Sequence, residues 1–364
     1  MGRLALLGKK SEAASLMRRD LRLLTEIRPE LGQRLESVLA DASSGRVSRS
    51  YPVAPVPADL ESRLELVRED DVVFRKDPIW PSAVSAALGG LLAERLALGK
   101  LIDRRIDPTR TVLFIGPPGV GKTLAARWLA HKLGQPLLIL DLASVMSSFL
   151  GRTGNNIRSV VDYAQSRRQG VLLIDELDAV AKRRGDETEI GELKRLVTVL
   201  IQCLDNWETG GLLVAATNHP DLLDTAIWRR FDRIIEFPLP TATDMVETIQ
   251  ELMGSEWDAI RDMVPALVIA AEGWSYSDLT RWVNNARRDS VIQGKDIHEI
   301  MEAQMQASVE KLTKAQRLRV AKQMVIAGLS QRRASDLTGV SRDTLRRHTA
   351  GGPRMEANSN GEGE

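Results

Sequence analysis

Gly116-Pro117-Pro118-Gly119-Val120-Gly121-Lys122-Thr123 stands between the apolar run Thr111-Val112-Leu113-Phe114-Ile115 and a helical pattern from Leu124 to Leu133. Strand, glycine loop and helix follow in the order a phosphate cradle requires. Glycines let the backbone turn its N–H groups inward around a β-phosphate, and the helix N-terminus adds its positive end. Lys122 is placed to reach the β and γ oxygens, and Thr123 to hold Mg²⁺ through its hydroxyl. The stretch predicts a nucleoside triphosphate site formed by Gly116, Pro117, Pro118, Gly119, Val120, Gly121, Lys122, Thr123 and Leu124.

Working outward, further apolar runs lie at Leu137-Leu138-Ile139-Leu140, Val171-Leu172-Leu173-Ile174, Leu212-Leu213-Val214-Ala215-Ala216 and Ile234-Ile235-Glu236-Phe237. A helical run over Ala83 to Leu101 comes before them, and helical stretches separate them. Strands apolar throughout, alternating with helices, predict an α/β fold with a parallel sheet covered on both faces. Ligands in such sheets sit beyond the carboxyl ends of the strands, where the chemical motifs fall.

The third run ends in Asp175-Glu176. An acidic residue at a strand tip beside a phosphate loop can hold the Mg²⁺ shell, and its neighbour can orient or deprotonate a water. Asp175 is assigned to magnesium and Glu176 to the water. The fourth run ends in Thr217-Asn218, whose amide can bond the γ-phosphate or the water; its plainer use is to start the turn into His219-Pro220. Arg229 and Arg230 follow on a short segment before the fifth run. Paired guanidinium groups can neutralise charge on a transferred phosphoryl group, and equally suit a solvated surface.

Taken together these residues resemble the AAA ATPases over roughly Ala83 to Arg287: Walker A loop, Asp175-Glu176-Leu177-Asp178-Ala179 box, sensor Asn218 and arginine segment. Phe149-Leu150-Gly151 and Asn156-Ile157-Arg158 are similar to the pore loop and following motif of the protein-remodelling branch. The resemblance implies a P-loop NTPase domain, ATP and Mg²⁺ as ligands, and a hexameric ring. Phe149, Leu150 and Gly151 would then grip an extended polypeptide in a central channel, with a second channel loop near Lys182 to Glu189. Arg229 and Arg230 would act on the neighbouring subunit's ATP. They are adjacent here, where the family's usual spacing has two residues between them. Beyond Pro238 the chain resembles the family's helical lid, including Gly273-Trp274-Ser275-Tyr276-Ser277-Asp278-Leu279, with Tyr276 where a glycine is common. Trp257, Trp274 and Trp282 read as lid core.

At 364 residues the chain exceeds one hydrophobic core. With 43% hydrophobic and 27% charged residues it reads as globular, and its net charge of +1 implies no whole-molecule attraction to nucleic acid or membrane. Its one cysteine, Cys203, excludes an intrachain disulfide, and no run of apolar residues is long enough to span a bilayer. A cytoplasmic protein is expected. Division of the chain is expected at 1–44 (helical N-terminal region), 45–59 (linker), 60–239 (ATPase domain), 240–305 (lid), 310–350 (three short helices) and 351–364 (disordered tail).

The last helices, with Ser330 and Ser341 as N-caps and Ser335 four residues before Gly339, resemble the helix-turn-helix of resolvases and invertases. The stretch 315–348 is cationic, as DNA contact demands. Ser341, Arg342 and Thr344 would face base edges, and Arg346 and Arg347 phosphates. Packing against a ring or partner is the alternative use. The expected function is ATP hydrolysis in a ring coupled to remodelling of a polypeptide, with DNA or partner docking at the C-terminus. The alternatives are a DNA-associated motor or regulator, and an ATP-switched adaptor for a separate effector such as a protease.

Overall fold

The structure, a computed structural model, describes residues 57, 66–70, 73–74, 76–142, 145, 153–167, 170–179 and 187–349, with backbone alone at 187–195 and 349. The N-terminal region and linker expected at 1–59, apart from residue 57, the loops Phe149–Gly151 and 182–186, and the C-terminal tail lie outside the described residues.

One six-stranded sheet has the order β1-β3-β4-β5-β2-β6, with β1 Arg68–Asp70, β2 Thr111–Ile115, β3 Leu137–Asp141, β4 Val171–Asp175, β5 Leu212–Thr217 and β6 Arg233–Glu236. All neighbours are parallel except β1, which runs antiparallel to β3. The five parallel strands fall where the apolar runs place them, and the alternation of side chains explains why those runs are apolar throughout. Leu113, Leu172, Ile174 and Leu213 enter one core with Ile157 and Val160 of α4 (Thr153–Ser166) and Leu200 of α5 (Glu187–Asp205). Val112, Phe114, Leu173 and Val214 enter the other, against Leu88 and Leu91 of α1 (Ser82–Leu96) and Ala126 and Leu129 of α3 (Lys122–Leu133). Strands β2, β4 and β5 are therefore sandwiched, and truncating any one of these leucines to alanine would cost about 2–5 kcal/mol.

The helical run before the loop is two helices, α1 and α2 (Leu98–Asp103), parted at Ala97. Strand β1 has no apolar residue to announce it. Arg127 of α3 pairs with Asp70 at 3.0 Å, and Arg167 holds Glu69 through two bonds of 3.2 and 2.8 Å. A short charged edge strand also resists pairing with another chain.

After α6 (Thr225–Trp228) and β6 the chain is helical: α7 (Ala242–Met253), α8 (Trp257–Ile260), α9 (Val264–Ala270), α10 (Tyr276–Gln293) and α11 (Ile297–Glu310). Trp257, Trp274 and Trp282 pack against their core, the latter two edge to face at 6.1 Å. Three helices follow, α12 (Lys314–Ile326), α13 (Gln331–Thr338) and α14 (Arg342–Thr349). Ser330 caps α13 by accepting from Arg333 N at 3.1 Å, and Ser341 accepts from Thr344 N at 3.3 Å. Val320, Ala321, Leu337 and Leu345 are buried in the same core as Leu267, Met301 and Met305 of α9 and α11. Arg333 of α13 adds a two-pronged pair with Glu302 of α11, both bonds 2.9 Å.

Candidate nucleotide site

Strand β2 ends at Ile115 and α3 begins at Lys122, so the loop between them lies at the carboxyl edge of the sheet. Its turns need glycine at specific places. Gly116 has φ +144°, and a Cβ there would meet the Phe237 carbonyl oxygen at 2.1 Å; Gly119 has φ +78°, and a Cβ would meet Ser275 Oγ at 2.5 Å. Only a residue without a side chain fits both the dihedral and the space.

Lys122, Thr123, Asp175, Glu176 and Asn218, drawn from three strand ends, line one cavity of about 670 Å³. Pro118, Gly119, Gly121 and Leu124 line it too, and Tyr276 and Arg281 close it from the lid. Lys122 Nζ donates to Gly116 O at 2.7 Å, Pro117 O at 2.8 Å and Asn218 Oδ1 at 2.7 Å. All three partners are neutral oxygens. Burial pushes its ammonium down to about 8, against the Asp175 and Asp178 carboxylates that hold it up. A buried cation satisfied only by neutral partners, in an open cavity, fits an anion such as a phosphate.

Thr123 Oγ1 donates to Asp175 Oδ2 at 2.8 Å. Neighbouring oxygens on an octahedral magnesium with bonds of about 2.1 Å sit about 3 Å apart, so the pair fits that ion. Among the described residues no three His, Cys, Asp or Glu side chains are grouped to hold a metal by themselves.

Glu176 has φ +54° and an exposed side chain, and its N–H bonds Asp175 Oδ1 at 3.0 Å. A left-handed glutamate is strained by roughly 1–3 kcal/mol and is held there by its surroundings. One of those restraints is the next residue, Leu177, whose N–H donates to Ala216 O of β5 at 2.9 Å.

Arg229 and Arg230 lie apart from this cavity. Arg230 O accepts from Thr111 Oγ1 at 3.1 Å, at the start of β2, whereas the phosphate loop leaves its far end. Five strand residues put about 13 Å between the two ends. Both arginines are exposed. Arg230 is paired with Asp205 at 2.9 Å. At the C-terminus, Ser341 Oγ and Thr344 Oγ1 bond each other at 2.8 Å, while Arg342, Arg346 and Arg347 are exposed. Trp80, Thr280 and Arg281 at the nucleotide site escape sequence reasoning, whereas Tyr276 and Ser277 lie in the lid stretch that the sequence marks.

A parallel sheet with a glycine loop at its carboxyl edge, a buried lysine, and a threonine–aspartate pair define a phosphate-loop nucleotide-binding protein. Comparison carries this further. Residues 112–239 match the family described as ATPase family associated with various cellular activities (AAA). The "Uncharacterized AAA family ATPase y4kL" of Sinorhizobium fredii is 34% identical over 282 residues, 76% of this chain and 79% of that one. The chain belongs to the AAA family of ATPases, and is an ATP-hydrolysing enzyme. It is also similar to the proteasome-activating nucleotidase of Thermococcus onnurineus, 36% identical over 151 residues, 40% of this chain and 38% of that one. With the ATP-dependent zinc metalloprotease FtsH 3 of Sphaerobacter thermophilus it shares 28% identity over 285 residues, 74% of this chain and 55% of that one. The chain thus spans about half or less of these two relatives. Among the described residues no helix is long and apolar enough to cross a membrane.

Proposed function

We propose that this chain hydrolyses ATP within a ring of like subunits, by analogy a hexamer, and uses the turnover to remodel or thread polypeptides. The observation that supports the hydrolysis is the convergence of Lys122, Thr123, Asp175, Glu176 and Asn218 on one cavity. Lys122 exchanges its neutral partners for β- and γ-phosphate oxygens. Glu176 accepts a proton from the water that attacks the γ-phosphorus, the bridging β–γ P–O bond breaks, and ADP and phosphate leave. Asn218 holds the water or a γ-oxygen. Thr123 and Asp175 would hold magnesium, which when bound neutralises charge on the β- and γ-phosphates.

Arg229 and Arg230 stand at the opposite end of β2 from the chain's own phosphate loop, so a role in catalysis requires a neighbour's site. Arg230 is tied to Asp205 within the chain; the Arg229 side chain has no hydrogen bond or ion pair among the described residues. We therefore assign the finger to Arg229. The relatives named as a proteasome activator and a protease favour polypeptide as the substrate. This sequence contains no His-Glu-x-x-His, the pattern of a zinc metalloprotease. Replacing Phe149 by alanine tests the reading. Intact ATP turnover with loss of unfolding of a substrate bearing an unstructured tail supports threading; unimpaired unfolding contradicts it.

A second reading rests on α12–α14 as a helix-turn-helix on DNA. Arg332, Arg342, Arg346 and Arg347 are exposed on helices whose apolar faces are buried against the lid. Changing Arg342, Arg346 and Arg347 to alanine would lower affinity for duplex DNA and flatten its salt dependence by up to about three counterions. Unchanged binding would leave these helices as a packing module.

A further inference from the structure

The turn that opens α10 rests on the phosphate loop. Ser277 N donates to Gly119 O at 3.0 Å, and Ser277, Thr280 and Arg281 line the phosphate cavity from the lid. A nucleotide in that cavity touches both the loop and the lid, so it binds most tightly to one placement of the lid against the sheet.

The same lid carries the last three helices, and no hinge parts them from it. Leu279 and Val283 of α10 share one core with Ala321 and Met324 of α12, Leu337 of α13 and Leu345 of α14. Polar bonds cross the same boundary. Arg333 holds Glu302 twice at 2.9 Å, Arg319 Nη2 meets Glu272 Oε2 at 2.9 Å, and Gln306 Nε2 donates to Asp336 O at 3.4 Å. A tethered DNA-binding module has a polar linker and its own core. Here only Lys311, Leu312 and Thr313 lie between α11 and α12, and Thr313 already caps α12 by accepting from Gln316 N at 3.3 Å. The lid and α12–α14 are one packed body, and interiors packed this closely shift as units. Helix α10 alone runs 18 residues, so a lid rotation of about 10° carries the far end of its roughly 27 Å by about 5 Å.

Helix α14 rides on this body with Arg342, Arg346 and Arg347 exposed. One α14 on one stretch of duplex is indifferent to where its lid lies, because the whole surface moves together. Two α14 helices from adjoining copies are not. A duplex held by both needs them at one separation, and the lids set that separation. A filled phosphate cavity gives every lid the same placement.

Resting on the ring and DNA readings above, we propose that nucleotide controls the DNA contact through its span. The lids set the distance between α14 helices of neighbouring copies, so ATP tightens the grip on a duplex long enough to meet two of them and leaves the grip on a shorter one unchanged.

The test uses the full-length Glu176→Gln chain, which the ATP reading expects to hold ATP uncut, and duplexes of about 10 and about 40 base pairs, roughly one and four helical turns. ATP with magnesium should tighten binding of the longer duplex at least about tenfold and change that of the shorter by less than about twofold. By reciprocity the longer duplex should tighten ATP binding by the same factor. Without DNA, ATP should slow amide hydrogen exchange in α12 and α13 together with α10, as one body requires. An equal gain for both duplexes, a gain for neither, or a gain with exchange in α12 and α13 unchanged would each overturn the proposal, the last because assembly alone then explains it. Duplex bound in no state at low salt would overturn the DNA reading, and a chain that sediments as a monomer with ATP would overturn the ring reading, the proposal falling with either.

Discussion

Asp178 lies beneath Asn218: its buried carboxylate accepts the Asn218 N–H at 3.2 Å and the Thr217 hydroxyl at 2.9 Å. Asn218 in turn presents Oδ1 to Lys122 at 2.7 Å. Asp178 thus fixes where the tip of β5 points its amide. Replacing it by alanine leaves a buried hydroxyl without its acceptor and should cost about 1–3 kcal/mol. We predict that Asp178→Asn lowers kcat about tenfold with ADP affinity changed by less than twofold. Steady-state kinetics beside ADP titration checks this; equal losses in both would show a general collapse of the site.

Lys122 supplies a pH dependence with a defined sign. In the free protein burial holds its pKa at about 8 instead of 10.5, and bound phosphate favours the charged form. Nucleotide binding should therefore take up a proton above pH 8, and ADP affinity should fall by up to about tenfold per pH unit from there upward. Taken alone, the lysine's contribution to folding stability rises between pH 8 and 10.5, because the unfolded chain keeps a proton that the folded chain has lost. Calorimetry at pH 8.5 in buffers of different ionisation enthalpy measures the uptake, and Lys122→Arg should abolish it.

Glu176 combines strain with chemistry. At φ +54° glycine is preferred, so Glu176→Gly should stabilise the fold by about 1 kcal/mol while ATP turnover falls at least a hundredfold. Glu176→Gln should lose turnover equally without the stabilisation. Thermal melts and phosphate release on the same samples separate the two effects.

Arg95 is buried and donates to four carbonyls: Thr109 and Thr209 at 3.1 and 3.2 Å, Gly210 and Gly211 at 3.0 and 3.1 Å. Its fork clamps the end of α1 to the loops before β2 and β5. A lysine has one ammonium where four acceptors wait, so Arg95→Lys should cost about 3 kcal/mol. Denaturant unfolding checks this, and a loss under 1 kcal/mol would mean the loops are held otherwise.

The parallel strands were legible because a strand buried on both faces leaves an unbroken apolar run, as in Val171–Ile174 and Leu212–Ala216. Strand β1 was not, since Arg68, Glu69 and Asp70 are strand only through their pairing to β3 and distant arginines. Asp175, Glu176 and Asn218 could be picked out because a strand tip beside the phosphate loop is a position with a chemical meaning. Trp80 could not, because it reaches Gly121 from forty-one residues earlier with no spacing rule to mark it. Nor could the difference between Arg229 and Arg230, which depends on Asp205 lying beside one of them.

The central claim is that each site is completed by an arginine from an adjoining copy. It is tested by coexpressing Lys122→Ala chains, which keep Arg229, with Arg229→Ala chains, which keep the phosphate loop, and measuring ATP hydrolysis by the mixed assemblies. Each variant alone should be inactive and the mixture should recover a substantial fraction of wild-type turnover. Mixed assemblies as inert as either parent, or full activity of the Arg229→Ala chain alone, would contradict the account.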